Sequence, residues 1–134
     1  MAAKGIHHLG VAVADLDDAI STYESLLGAR LEGRATSDDQ GVEAASLRLG
    51  SSHVELLAAL APDTPVGKFL ASRGPGMHHV AYEVDDIPAE LARLEDEGVR
   101  LIDTAPRQGL FGMQVAFVHP EAAHGVLSEL VTRG

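Results

Sequence analysis

The chain has 134 residues, 46% of them apolar, with a formal net charge of −10 and no cysteine. That length supports one domain or two small modules sharing a core, and the acidic balance excludes nucleic acid and anionic membrane surfaces as partners, since both need a positive footprint. A phosphorylated small molecule needs only a few local cations, and with no disulfide framework, apolar leader or bilayer-length apolar run the chain is expected to be soluble and cytoplasmic.

The first strand is expected over 6–13, short and β-branched, with His7 and His8 at its head. Asp15-Leu16-Asp17 opens a helix in which Ile20, Tyr23, Leu26 and Leu27 recur at helical spacing, and the glycine of LGARL (27–31) closes it. Three strands follow: around Leu31, over 43–49, and over 53–58, with Gly50-Ser51-Ser52 leading into the last. A Pro/Gly-rich link, APDTPVGKFLASRGPG, holds a short helix with Asp63 or Thr64 as its cap and Pro65 in its first turn.

From residue 76 the order repeats. GMHHVAYEV (76–84) lies over GIHHLGVAV (5–13) at an offset of 71, which superposes His79 on His8. Asp85-Asp86-Ile87-Pro88 opens a helix carrying Leu91 and Leu94, which stops at the glycine of EGVRL (97–101). Strands are expected over 99–102, 114–118 and 126–131, with His124-Gly125 before the last. The fold class is α+β: strand–helix–three strands, written twice. Module one covers about residues 5–60, the link with its short helix 61–75, and module two about 76–134, fused as a single domain over 1–134.

Strands alternate faces with period two. His7 therefore shares a face with Leu9, Val11 and Val13, and His8 with Gly10 and Ala12; in the second copy His78 goes with Val80, Tyr82 and Val84, and His79 with Ala81 and Glu83. The bulky faces must pack on the helices. The small-residue faces leave room for a cavity, so His8 and His79 are expected to point into it.

The last strand of each copy carries a glutamate before a leucine, Glu55 and Glu129. A carboxylate inside an apolar strand is costly unless paired or metal-bound. Two imidazoles and two carboxylates suit a divalent ion such as Co²⁺, Mn²⁺, Fe²⁺, Ni²⁺ or Zn²⁺ with positions left open. Taken singly, a histidine at a strand head is more often a satisfied core or surface group, and a strand glutamate more often faces solvent. What distinguishes these is recurrence in register, 47 residues apart in the first copy and 50 in the second. His7, His53, His78 and His124 read as exposed, capping or supporting groups, and His119, before Pro120, as a turn residue.

The stretches IHHLGVAVADLDDAISTYESLLGA, SSHVELLAAL, TPVGKFLASRGPGMHHVAYEVDDI and GLFGMQVAFVHPEAAHGVLSEL together resemble the vicinal oxygen chelate superfamily, and within it the methylmalonyl-CoA epimerase family. The resemblance implies two tandem βαβββ modules forming a cup-shaped, mostly antiparallel sheet around a metal site, in a homodimer. It puts His8, Glu55, His79 and Glu129 on the four metal positions, with Co²⁺ foremost; some epimerases carry glutamine at the place of Glu55. It also implies methylmalonyl-CoA as substrate, epimerised by removing and returning the C2 proton, with Glu129 as one catalytic group.

The second base is less direct. Some epimerases carry Gln-Gly-Val-x-Glu, whereas Gln40-Gly41-Val42 is followed here by Glu43 and then Ala44. A three-residue loop at 50–52 would turn Glu43 to the face of Glu55; a two-residue loop would not. Lys68, Arg73 and Arg107 are expected at the rim, near the CoA portion, and amides around Gly109 and Gly112 near the substrate carboxylate. Glyoxalase I-type lactoylglutathione lyases use the same four-ligand set. Metal-free binding modules of the superfamily have no use for it, and its ring-cleaving dioxygenases use three protein ligands.

Overall fold

A computed structural model of the protein describes residues 3–133. Among them are eight strands and three α-helices: β1 (Gly5–Ala12), α1 (Leu16–Leu27), β2 (Arg30–Ser37), β3 (Val42–Leu49), β4 (Ser52–Ala59), α2 (Pro65–Arg73), β5 (Gly76–Glu83), α3 (Ile87–Asp96), β6 (Arg107–Gln108), β7 (Gln114–Val118) and β8 (Ser128–Thr132). Backbone contacts divide the described residues into two compact units, one of residues 8–78 and one of residues 79–133 together with residues 3–7.

In the unit of residues 8–78 the strands run β2-β3-β4-β1, with β1 parallel to β4 and the other neighbours antiparallel. Helix α1 begins where Asp15 accepts the amide of Asp18 at 3.0 Å and stops at Gly28, whose φ of +66° is left-handed backbone that glycine adopts without strain. Its Leu16 and Ile20 pack with Val13, Ala45, Leu47, Val54 and Leu56, while Val11 and Tyr23 flank that core. The expected apolar stripe is shorter than its spacing suggested, because the last turn lies outside this core and Leu26 is 73% exposed. Thr64, not Asp63, caps α2, and Pro65 takes its first position as expected.

The β3–β4 connection decides the facing of β3. Leu49 pairs with Ser52, so the turn is two residues, Gly50 and Ser51. This register sets Ser46 opposite Glu55 and Glu43 opposite Ala58. Directly opposed residues share a face, and residues three apart on a strand do not. Glu43 is therefore on the α1 side of its sheet.

The second unit runs β5-β8-β7-β6, with β5 parallel to β8 and the rest antiparallel. Asp86 caps α3, and Ile87 and Leu91 pack with Val84, Ala116, Val118 and Leu130. The other face of this sheet carries Ala81, Met113, Val115 and Val131. The strand expected over 99–102 is only a single bridge, Leu101 to Val118. Both Ile102 and Asp103 donate their amides to the one carbonyl of Phe117, and the Asp103 carboxylate takes the Phe117 N–H at 2.8 Å, which ends the ladder there. Pairing resumes only at Arg107–Gln108. Strand β8 starts at Ser128 rather than 126, because residues 120–123 form a 3₁₀ turn with His124 left-handed at its end. His119 is the turn residue expected, accepting the Glu121 amide on Nδ1.

Candidate functional site

Each unit holds one buried histidine–glutamate pair. In the first, His8 of β1 and Glu55 of β4 lie on neighbouring parallel strands, where Gly10 is the register partner of Glu55. The His8 Nδ1 to Glu55 Oε2 distance is 3.3 Å, and the side chains are 1% and 6% exposed. Ladder parity lines this face with Gly10, Ala12, Ala44 and Ser46, small residues that leave the pair room. His53, on the same face, meets Glu32 at 2.9 Å, and Glu32 also meets Arg48.

In the second unit, His79 of β5 and Glu129 of β8 repeat the arrangement, with Ala81 as the register partner of Glu129. His79 Nε2 is 3.3 Å from Glu129 Oε1, and the side chains are 6% and 8% exposed. The offset of 71 carries Gly10 onto Ala81, so both glutamates occupy the same place in their modules. Phe117 faces Glu129 across the β7–β8 ladder and meets the His79 ring edge-on, centroids 5.9 Å apart.

Buried carboxylates require a positive or hydrogen-bonding neighbour. Imidazole nitrogen and carboxylate oxygen form the mixed donor set that borderline divalent cations accept. His8, Glu55, His79 and Glu129 all belong to groups of described side chains that could hold a metal ion, and so does His7. His7 is only 8% exposed. From the sequence it was expected among the exposed or supporting histidines; the doubling of His7-His8 was the one signal it carried.

The remaining candidates fall in two places. Lys68 and Arg73 are exposed on α2, with Arg73 over the Phe69 ring and Phe69 edge-on to His78. Arg107, Gly109 and Gly112 belong to the segment before β7 in the other unit. Gly109 is held close: a Cβ there would meet Val115 Cγ1 at 2.6 Å, and its N–H donates to the Met113 carbonyl at 2.8 Å. Its amide is thus engaged within the loop.

Glu43 needs the larger correction. The two-residue turn puts it on the face opposite Glu55, where its carboxylate meets Arg34 at 3.1 Å. Arg34 also bonds Asp17, and these two carboxylates, Asp17 foremost, raise the pKa of its guanidinium. Glu43 therefore does not lie on the face of the His8–Glu55 pair. Phe117 was missed as a partner of His79, because sequence separation hides which residue faces which across a ladder.

Known proteins decide the family. The model of the Glyoxalase/Bleomycin resistance protein/Dioxygenase superfamily matches residues 7–117. The chain belongs to this superfamily. Within the superfamily, it is 40% identical to the crystal structure of methylmalonyl-CoA epimerase from Mycobacterium tuberculosis, covering 98% of this chain and 89% of that one with a TM-score of 0.95. A methylmalonyl-CoA epimerase in complex with methylmalonyl-CoA and NH4+ is 37% identical over 99% of this chain and 96% of the other, also with a TM-score of 0.95. The mitochondrial methylmalonyl-CoA epimerase of Homo sapiens is 35% identical over 93% of this chain and 72% of its own length. These superfamily relatives are enzymes, and the α+β fold expected from the repeat is theirs.

Proposed function

We propose that this chain is a metal-dependent methylmalonyl-CoA epimerase in which His8, Glu55, His79 and Glu129 hold one divalent ion, Co²⁺ foremost, with Mn²⁺, Ni²⁺, Fe²⁺ or Zn²⁺ as substitutes. The observation that carries it is the repeated buried pair, His8–Glu55 and His79–Glu129, at 3.3 Å in both modules, in a chain so similar to an epimerase bound to methylmalonyl-CoA. One pair offers two ligands, too few for a stable divalent site, whereas two equivalent pairs offer four and leave positions for substrate. When bound, the ion supplies Lewis-acid stabilisation of the negative charge that develops on the substrate's carboxylate and thioester oxygens.

The chain's own groups then move the proton. The C2 hydrogen lies between two carbonyl carbons, and its removal on one face and return on the other calls for a carboxylate on each side. Glu129 is one. With Glu43 turned to the α1 side, the group standing in the first module where Glu129 stands in the second is Glu55, and we assign it the other role. The small residues Gly10, Ala44 and Ser46 around it accommodate the methyl substituent. Lys68 and Arg73 attract the phosphates of CoA, and the amide of Gly112, in place of that of Gly109, faces the substrate carboxylate. The protein acts as a cytoplasmic homodimer; no helix among the described residues is long and apolar enough to cross a membrane.

The test is stereochemical. Purified protein with Co²⁺ is incubated with one isomer of methylmalonyl-CoA, and a mutase that consumes only the other isomer reports conversion. Complete consumption supports the epimerase. No consumption, together with turnover of the methylglyoxal–glutathione hemithioacetal, would replace it with a glyoxalase I-type lyase.

A further inference from the structure

The two half-sites are not alike beside the glutamate. The residue opposite Glu55 across its antiparallel ladder is Ser46, and the residue opposite Glu129 is Phe117. The offset of 71 that carries His8 onto His79 also carries Ser46 onto Phe117, so one position of the repeat holds a hydroxyl in one copy and an aromatic ring in the other.

Around Phe117 the second unit builds a continuous stack. Arg107 pairs with Val115 in the β6–β7 ladder, which sets it on the face of Val115, Phe117 and Glu129. Its guanidinium carbon lies 5.4 Å from the centre of the Phe117 ring. His79 also meets that ring, at an interplanar angle of 83°, and lies 3.3 Å from Glu129. Asp103 fixes both ends of the Arg107–Phe117 contact with one oxygen: Oδ2 accepts the Phe117 N–H at 2.8 Å and meets Arg107 Nε at 3.4 Å.

We propose that Arg107 and Phe117 are positioning residues, which clamp the His79 imidazole in the orientation that directs it to Glu129 and to the ion those two side chains help hold. A guanidinium over a ring and a perpendicular contact between two rings both follow the ring's quadrupole, so the three groups favour one geometry together. A histidine ligand free to rotate about χ1 and χ2 loses affinity for its metal, and partners that hold such a ring matter accordingly. The Arg107 side chain is 40% exposed yet engaged by Asp103 and Phe117, which suits a clamp better than a cation reaching out to CoA phosphates. In the first module Ser46 takes the place of Phe117 in the ladder opposite the glutamate, so the two copies differ at this position.

The inference rests on the metal reading above, and the experiment separates the two. Co²⁺ is titrated into the metal-free full-length protein and into R107Q, F117L and F117Y, by calorimetry and by the visible absorption of bound Co²⁺; free coenzyme A is titrated into the same proteins. The His79 ring signals are followed by NMR without metal. R107Q and F117L should bind Co²⁺ on the order of tenfold more weakly, the low end for partners of metal-bound histidines, with an altered Co²⁺ spectrum. Their His79 signals should broaden without metal. F117Y, which keeps the ring, should behave as the unaltered protein, and coenzyme A should bind R107Q unchanged. Unaltered Co²⁺ binding by R107Q with weakened coenzyme A binding would overturn the inference and return Arg107 to the rim. If the unaltered protein binds no Co²⁺, the metal reading falls, and an unchanged His79 signal in R107Q then overturns the clamp as well.

Discussion

Glu43 and Glu55 face opposite sides of one sheet, because the β3–β4 turn has two residues and pairs Glu43 with Ala58. The consequence is functional: a carboxylate on the α1 side, engaged with Arg34, is not placed to exchange protons on the face of the His8–Glu55 pair. Glu43→Gln should leave proton exchange at C2 within the scatter of the unaltered enzyme. The exposed ion pair it removes contributes about 0.2–1 kcal/mol at most. A collapse of exchange in this variant would restore Glu43 to the mechanism.

Glu129→Gln should remove both a ligand and a proton carrier. Epimerisation should fall by roughly 10²–10⁴, the range over which a positioned acid–base group acts. Glu55→Gln should match it in this chain, since the two occupy equivalent places in the repeat and each serves one face of C2. Because some epimerases carry glutamine at the place of Glu55, a Glu55→Gln enzyme that keeps epimerising while Glu129→Gln does not would make Glu55 a bystander to proton transfer. Rates of epimerisation on purified, metal-loaded variants decide.

A metal held only by the folded chain stabilises it. Co²⁺ at a hundredfold excess over its dissociation constant should raise the free energy of unfolding by about 2.7 kcal/mol, and EDTA should reverse the gain. Urea unfolding with and without metal measures this. The His8→Ala and His79→Ala chains should show little of the effect.

Packing makes a sharper contrast on the first module. Leu47 is fully buried in the core beneath α1, and Leu47→Ala should cost about 2–5 kcal/mol. Leu26, 73% exposed in the last turn of the same helix, should be replaceable by alanine within about 0.5 kcal/mol. Urea midpoints of the two variants test whether the apolar stripe of α1 ends where the structure ends it.

Much of this was legible from residues alone, for reasons that are local. Asp15, Thr64 and Asp86 are short polar side chains beside helical stripes, and each caps its helix. The period of two separated His8 from Val11 and Val13, and Val11 and Val13 do pack on the α1 side. What was not legible depends on longer-range choices. One residue more or fewer in the turn at 50–52 flips every side chain of β3, and nothing within β3 reports which it is. The strand expected over 99–102 has the composition of a strand, but Asp103 takes the amide that would have continued its ladder. The pairing of Phe117 with Glu129 arises only when β7 and β8 are in register.

The most direct measurement is proton NMR of methylmalonyl-CoA in D₂O with the purified protein, once with Co²⁺ and once with EDTA. The account predicts rapid loss of the C2 proton signal with Co²⁺ and near-silence with EDTA, the two isomers ending equally labelled. Retention of the C2 proton in the metal-loaded sample would contradict it.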